Sequence, residues 1–235
     1  MTSPSDPAET SPAEASPTGV WRERHLIDAF KGLTAPFVLF VMFWTDAVER
    51  YDAWTYLALH GTYGLLWVLK SRVFGDKNWE QPLRLFRGSQ IAVGLAAYWV
   101  APVVLCLNEQ PAPPWLVAGA VVLFGLGVFF HFASDMQKHM HLAHRPGVLL
   151  TDGLWARSRN PNYLGELLIY LSFCALAWHW LPTLLFGVII AFEWLPNMLR
   201  KDRSLSRYEA YTAWAGQSGR LFPRVSLGDL RRKDV

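Results

Sequence analysis

Residues 115–133 read Trp-Leu-Val-Ala-Gly-Ala-Val-Val-Leu-Phe-Gly-Leu-Gly-Val-Phe-Phe-His-Phe-Ala, nineteen positions without one Asp, Glu, Lys or Arg. A helix that crosses a bilayer needs about 20 mostly apolar residues. In lipid a single helix satisfies its own backbone hydrogen bonds, which an isolated strand cannot do. This stretch therefore reads as a membrane-spanning helix. Three more runs read the same way: Trp54–Leu69, Ile91–Leu107, and the segment from Leu164 to about Leu195. The last is interrupted by His179-Trp180-Leu181-Pro182 and is long enough for two short spans with a turn at the proline. Leu33–Trp44 is a sixth, shorter candidate. The expected fold is all-α: a polytopic membrane helix bundle of about six transmembrane helices.

Composition agrees. Of 235 residues 52% are hydrophobic and only 17% are charged, against about 25% charge in ordinary soluble domains. So apolar a chain is not disordered throughout. Two cysteines, Cys106 and Cys174, both inside apolar runs, exclude a disulfide scaffold. Six spans leave 21 of the 22 Lys and Arg residues on one side, and the opposite loops hold only Arg50. By the positive-inside rule both termini are cytoplasmic, N-in and C-in. Residues 1–20, rich in Ser, Pro, Ala, Thr and Glu, read as a disordered cytoplasmic leader. They lack the basic and apolar regions of a secretory signal. A membrane domain spans residues 21–225. The basic tail, residues 226–235, holds Arg231-Arg232-Lys233, which reads as a lipid-facing anchor.

No G-x-G-x-x-G follows a strand, so a Rossmann domain is excluded; Gly125-Leu126-Gly127 lies in a span and reads as a helix-packing feature. Any nucleotide must bind between helix ends and cytosolic loops. Ionisable residues near spans mark function, and here they concentrate in two cytosolic segments. In the first, Asp135 and Lys138 share a helix face three residues apart. Arg145 follows, then Arg157, Arg159 and Asn160-Pro161-Asn162-Tyr163, with Glu166 one turn into the next span. Arg and Asn at a helix N-terminus suit an anion, and Glu166 calls for a partner, with Arg157 or Arg159 in reach. In the second segment Arg200, Arg203 and Arg207 form a basic stripe, fit either for phosphate or for anionic lipid. His139, His141 and His144 have no Cys or second acidic ligand to complete a metal site, so no metal is expected. His60 and Tyr63 lie on one face of the second span. Tyr63 serves either as a hydrogen-bond donor to a substrate carbonyl or as a helix–helix contact.

The run Gly153-Leu154-Trp155, continued by Arg159-Asn160-Pro161-Asn162-Tyr163-Leu164-Gly165-Glu166, resembles the C-terminal signature of the steroid 5-alpha-reductase and sterol-reductase superfamily. Ser134-Asp135 with Lys138, and downstream Arg200-x-Asp202, Tyr208-x-x-Tyr211 and Leu221-Phe222-Pro223, resemble its flanking segments. The similarity covers residues 115–225, and Asn160 stands where that superfamily usually has His. The resemblance implies an enzyme that uses NADPH to reduce a carbon–carbon double bond in a lipid drawn from the bilayer, such as a 3-oxo-Δ4 steroid or a sterol. By the topology the cofactor site faces the cytoplasm, and the few cysteines and basic cytosolic face are compatible with a bacterial inner membrane or the endoplasmic reticulum. Arg145, Arg157, Arg159, Arg200 and Arg203 are then candidates for the cofactor's phosphates. Asp135, Lys138, Asn162, Tyr163, Glu166 and Tyr208 are candidates for the rest of its pocket, and Tyr63 for the proton donor. Replacing Asp135 or Asn162 with Ala is expected to abolish activity without unfolding. Isoprenylcysteine and phospholipid methyltransferases share part of the signature and use S-adenosylmethionine, so that cofactor and a lipid methyl transfer are the alternative. A lipid-binding protein without catalysis is a third reading. No nucleic-acid partner is expected.

Overall fold

A computed structural model describes residues 21–224; the leader and the basic tail expected at the two ends lie outside the described residues. The described chain is helical: α1 (Glu23–Trp44), α2 (Tyr51–Phe74), α3 (Leu85–Tyr98), α4 (Val100–Leu107), α5 (Pro114–His144), α6 (Pro161–Ala177), α7 (Trp180–Ile189), α8 (Leu195–Leu205) and α9 (Tyr211–Gln217). Four stretches are long and apolar enough to cross a membrane: α1, α3 with α4, α5, and α7 through α8. This is an all-α membrane protein.

The first of these corrects the sequence reading. The marginal Leu33–Trp44 is the second half of a 22-residue helix that starts at Glu23 and carries Lys31 inside it. The charge had set the apparent boundary. Helices α2 and α6 fall outside the four for physical reasons. Helix α6 has only 17 residues, and the middle of α2 holds His60, Gly61, Thr62, Tyr63 and Gly64, which lower its mean hydropathy. Helix α6 is mostly buried; α2 buries His60 and Tyr63 on one face and exposes Trp54, Leu65 and Leu69 on the other.

The breaks have local causes. Helix α6 ends at Trp178, whose φ of 47° puts it in the left-handed region. The Nδ1 atom of His179 then accepts the Leu181 amide at 3.1 Å and caps α7. The turn is thus at Trp178–His179, not at Pro182. The proline sits in the first turn of α7, where its missing N–H costs nothing. Pro102 deprives the Tyr98 carbonyl of its i+4 donor, and the helix breaks there into α3 and α4. Between α7 and α8, residues Ile190–Trp194 widen into a π-helical turn ahead of Pro196.

Glycines set the closest helix approaches. A Cβ on Gly64 of α2 would collide with the Lys31 carbonyl of α1. On α6, a Cβ on Gly165 would collide with the His131 amide of α5 and lie 2.7 Å from the Gly127 carbonyl. Gly127 is thus the packing glycine of its span, and Gly125 faces open space. At one end of the bundle Arg50 bonds Asp52 at 2.7 Å and the Asn108 carbonyl at 2.7 Å, and Asn108 reaches the Ala177 carbonyl at 2.8 Å. These bonds tie three connections together. Away from that end, Arg22 and Arg24 pair with Glu80, and Lys138 with Asp76, around the α2–α3 connection; this is the basic end.

Candidate functional site

Two buried cations organise the basic half of the bundle. Lys31, about 12 Å along α1 from its basic-end terminus by helical rise, is held close to α2 by the contact at Gly64. Its ammonium donates to the Tyr170 hydroxyl at 2.7 Å. It also lies 4.4 Å from the ring centre of Tyr63, 4.8 Å from Trp67, 5.3 Å from Tyr170 and 5.7 Å from Tyr98. Four π faces and a hydroxyl replace water around this charge. The second cation, Lys70 of α2, pairs with Asp135 of α5 and lies 3.5 Å from His131 Nε2. His131 stacks on Trp67 and its Nδ1 meets the Asn162 carbonyl at 3.2 Å.

A cavity of about 440 Å³ opens beside Lys31, between α1, α3, α6 and the helix pair α7–α8. Lys31, Tyr98, Tyr163, Glu166 and Tyr170 form its inner wall. Its lining has a polar part and a more apolar part. At the basic end, Arg87, Gln90, Asn197 and Arg200 make a polar collar. Midway along the spanning helices, Gly94 and Leu95 of α3 face Phe192 and Glu193 of the π turn. There Phe192 is 81% exposed, and a Cβ on Gly94 would meet nothing nearer than the Glu193 carboxylate at 4.0 Å. A second cavity of about 400 Å³ lies at the basic end, with Lys70, Asp76, Asp135 and Lys138 in its wall. A narrow cleft lies between the two: it shares Ile27, Trp67 and Trp79 with the first and Lys70, Gly75 and Asp76 with the second. Asp76 bonds Lys138 at 2.7 Å and accepts the Asn78 amide at 3.0 Å. Burial raises its pKa, but the Lys138 charge and the two hydrogen bonds outweigh that and hold it below the ordinary carboxylate range.

The sequence-derived candidates divide between these cavities and the scaffold. Tyr163, Glu166 and Arg200 are on the wall of the first, Asp135 and Lys138 on that of the second. Tyr63 is fully buried, and its hydroxyl donates to Glu166 Oε1 at 3.1 Å, one hydrogen bond behind the wall. Glu166 therefore does not pair with Arg159. That guanidinium bonds Asp202 at 3.1 Å and the Ser218 carbonyl at 2.8 Å. Asp202 also takes Arg220 at 3.0 Å. Asn160 is fully buried and donates to the Arg220 carbonyl at 2.8 Å, while Lys201 bonds its Oδ1 at 2.9 Å. Together Arg159 and Asn160 fasten the C-terminal segment onto the start of α6. The Arg157 carbonyl takes part in the same fastening through the Gly219 and Arg224 amides, each at 2.9 Å. Arg145 is exposed at the end of α5, and Arg203 is exposed on the last turn of α8. Helix α8 stops at Leu205, so Arg207 lies beyond it, its guanidinium beside Tyr208, and the expected basic stripe is broken.

Sequence reasoning missed Lys31, Lys70 and His131. The usable signal was a lysine inside, or at the edge of, an apolar helix, which is costly unless it is partnered. Three buried oxygens have no partner among the described residues: Asp28 Oδ1, Asp135 Oδ1 and Asn162 Oδ1. All three are acceptors, so what they lack is a donor, such as a hydroxyl or an amide N–H.

No curated protein and no solved structure matches this chain. A family model does match, over residues 30–210, which is more than three quarters of the sequence and takes in α1 from Phe30, both cavities and the start of the C-terminal segment. The chain therefore belongs to the family described as "Protein of unknown function (DUF1295)".

Proposed function

We propose that this protein is an integral-membrane, NADPH-dependent reductase of a carbon–carbon double bond in a lipid, with six crossings and both termini in the cytoplasm. The observation that carries the proposal is the cavity beside Lys31 with its polar collar and its more apolar side. The polar collar suits a charged, water-soluble cofactor, and the side between α3 and the π turn serves in this reading as the lipid-side opening for an apolar substrate dissolved in the bilayer. The two meet at Lys31, Glu166 and Tyr170.

The residues present fit a nicotinamide nucleotide. The unpartnered acceptor Asp135 Oδ1, of a residue on the wall of the second cavity, matches a hydroxyl of a ribose. Lys138 on one cavity wall and Arg200 on the other match phosphates. When bound, the reduced nicotinamide supplies hydride; the rest falls to this chain. Tyr63 fixes the orientation of Glu166, Lys31 and Tyr170 present N–H and O–H donors, and the aromatic walls exclude water.

The test is turnover in proteoliposomes: loss of NADPH after addition of a 3-oxo-Δ4 steroid. Gly94→Phe is expected to fill the lipid-side opening and cut turnover by about tenfold or more, an order set by the near-contact geometry catalysis requires. Gly119→Phe on α5 also meets nothing within 4 Å and is expected to leave turnover unchanged. Equal activity of the two variants would remove the assigned substrate path.

A further inference from the structure

The wall of the cavity carries a cation that the reaction, as proposed so far, uses only as a donor. Lys31 is 6% exposed. It is enclosed by the rings of Tyr63, Trp67, Tyr98 and Tyr170, and it nevertheless lies on the cavity surface. One of its three N–H groups is given to Tyr170. Tyr98 stacks on Tyr170 with centres 4.0 Å apart, which fixes the hydroxyl that receives it. A lysine kept only for packing would be cheaper as Met or Leu, because each buried charge carries a desolvation penalty. The aromatic enclosure offsets that penalty, and Lys31 and Tyr170 both line the cavity.

We infer that Lys31 is a further catalytic residue: its ammonium holds the negative charge that develops on a substrate oxygen during reduction. The inference rests on the reductase reading. It has a consequence for the order of events. Double-bond reduction can begin with a proton, which leaves a carbocation, or with hydride, which leaves an enolate when the alkene is conjugated to a carbonyl. A fixed cation opposes the first and stabilises the second. The π faces that could steady a carbocation already surround the ammonium. In the hydride-first path, hydride adds to the β-carbon and the π electron pair moves onto the carbonyl oxygen, where Lys31 and Tyr170 hold it. A proton entering from water through the polar collar then adds to the α-carbon and restores the carbonyl. The substrate is thus an α,β-unsaturated carbonyl lipid, and isolated alkenes are left unreacted.

The experiment needs no cofactor. Equilenin, a steroid whose naphthol emits differently when neutral and when ionised, is titrated into the detergent-purified full chain at neutral pH. The wild-type protein is expected to hold it as the naphtholate. Lys31→Met is expected to bind it about tenfold or more weakly and as the neutral naphthol, the scale of one lost hydrogen bond to a charged group. Tyr170→Phe, which leaves the cation in place, retains the naphtholate emission. A merely structural lysine predicts no ionised ligand in either protein. Wild-type protein that binds neutral naphthol, or none, overturns the inference even if Lys31→Met fails to fold. So does a folded Lys31→Met protein that keeps the naphtholate. NADPH binding is measured separately, so failure here is distinct from failure of the reductase reading.

Discussion

Asp135→Ala is expected to lower the unfolding free energy by about 3–5 kcal/mol, the cost of breaking a buried ion pair from one side. Asp135 and Lys70 are both buried, on α5 and α2. Removing the carboxylate leaves the ammonium facing His131 and the Trp67 ring, 4.6 Å away. Neither matches a carboxylate. The sequence alone suggested a different outcome, loss of activity in a folded protein, because Lys70 is 65 residues away and its partnership is not local. The double replacement Lys70→Met with Asp135→Leu is expected to recover most of the loss, since well-packed apolar pairs often replace buried ion pairs at little cost. Denaturant unfolding in detergent, read by tryptophan fluorescence, measures both. Asp135→Ala within about 1 kcal/mol of wild type would contradict the assigned pairing, since a surface ion pair is worth no more.

The second large effect is at the α5–α6 contact. Gly165→Ala is expected to cost about 3 kcal/mol, the upper part of the usual range for overpacking a tight interior. The added methyl would collide with the His131 amide and lie 2.7 Å from the Gly127 carbonyl. Backbone cannot give way as a side chain can, so α5 and α6 must separate, and with them the Asp135 and Asn162 acceptors. Gly127→Ala is expected to behave similarly, its methyl falling 2.8 Å from the Ile169 amide. Gly125→Ala, two residues away, meets nothing within 4 Å and is expected to be neutral or stabilising by up to about 1 kcal/mol from helix propensity. Thermal unfolding of the three variants side by side checks this. Equal losses at Gly125 and Gly127 would mean that the helix contact lies elsewhere.

These cases show which parts of the protein were legible in one dimension. Apolar runs declare spanning helices because lipid imposes length and backbone satisfaction on each helix separately. Of the four strongest runs, Ile91–Leu107 and Trp115–Ala133 lie in such helices and the last does in its second half, whereas Trp54–Leu69 does not and the marginal Leu33–Trp44 does. The start of α1 was misread because Lys31 resembles a loop charge until its aromatic enclosure is seen. The turn between α6 and α7 was misread because a left-handed Trp178 has no sequence signature, whereas Pro182 has a conspicuous one. Asp135, Glu166 and Arg200, legible as polar residues near the ends of spans, line the cavities. The surroundings of the other arginines were not legible, because charge and spacing do not reveal a partner. Arg159 was a candidate for phosphate until Asp202, 43 residues later, was found against it. Lys70 and Lys31 were missed for the converse reason, their partners lying on other helices.

The reductase account is tested most directly by cofactor binding to the detergent-purified protein, read as thermal stabilisation by NADPH and, separately, by S-adenosylmethionine. At about 100 times its dissociation constant, a ligand that binds only the folded state adds about 2.7 kcal/mol. The account predicts that increment from NADPH, none from S-adenosylmethionine, and a smaller shift with NADPH when Lys138 or Arg200 is replaced by Met. Stabilisation by S-adenosylmethionine with none from NADPH would contradict it and reassign the two cavities to methyl transfer.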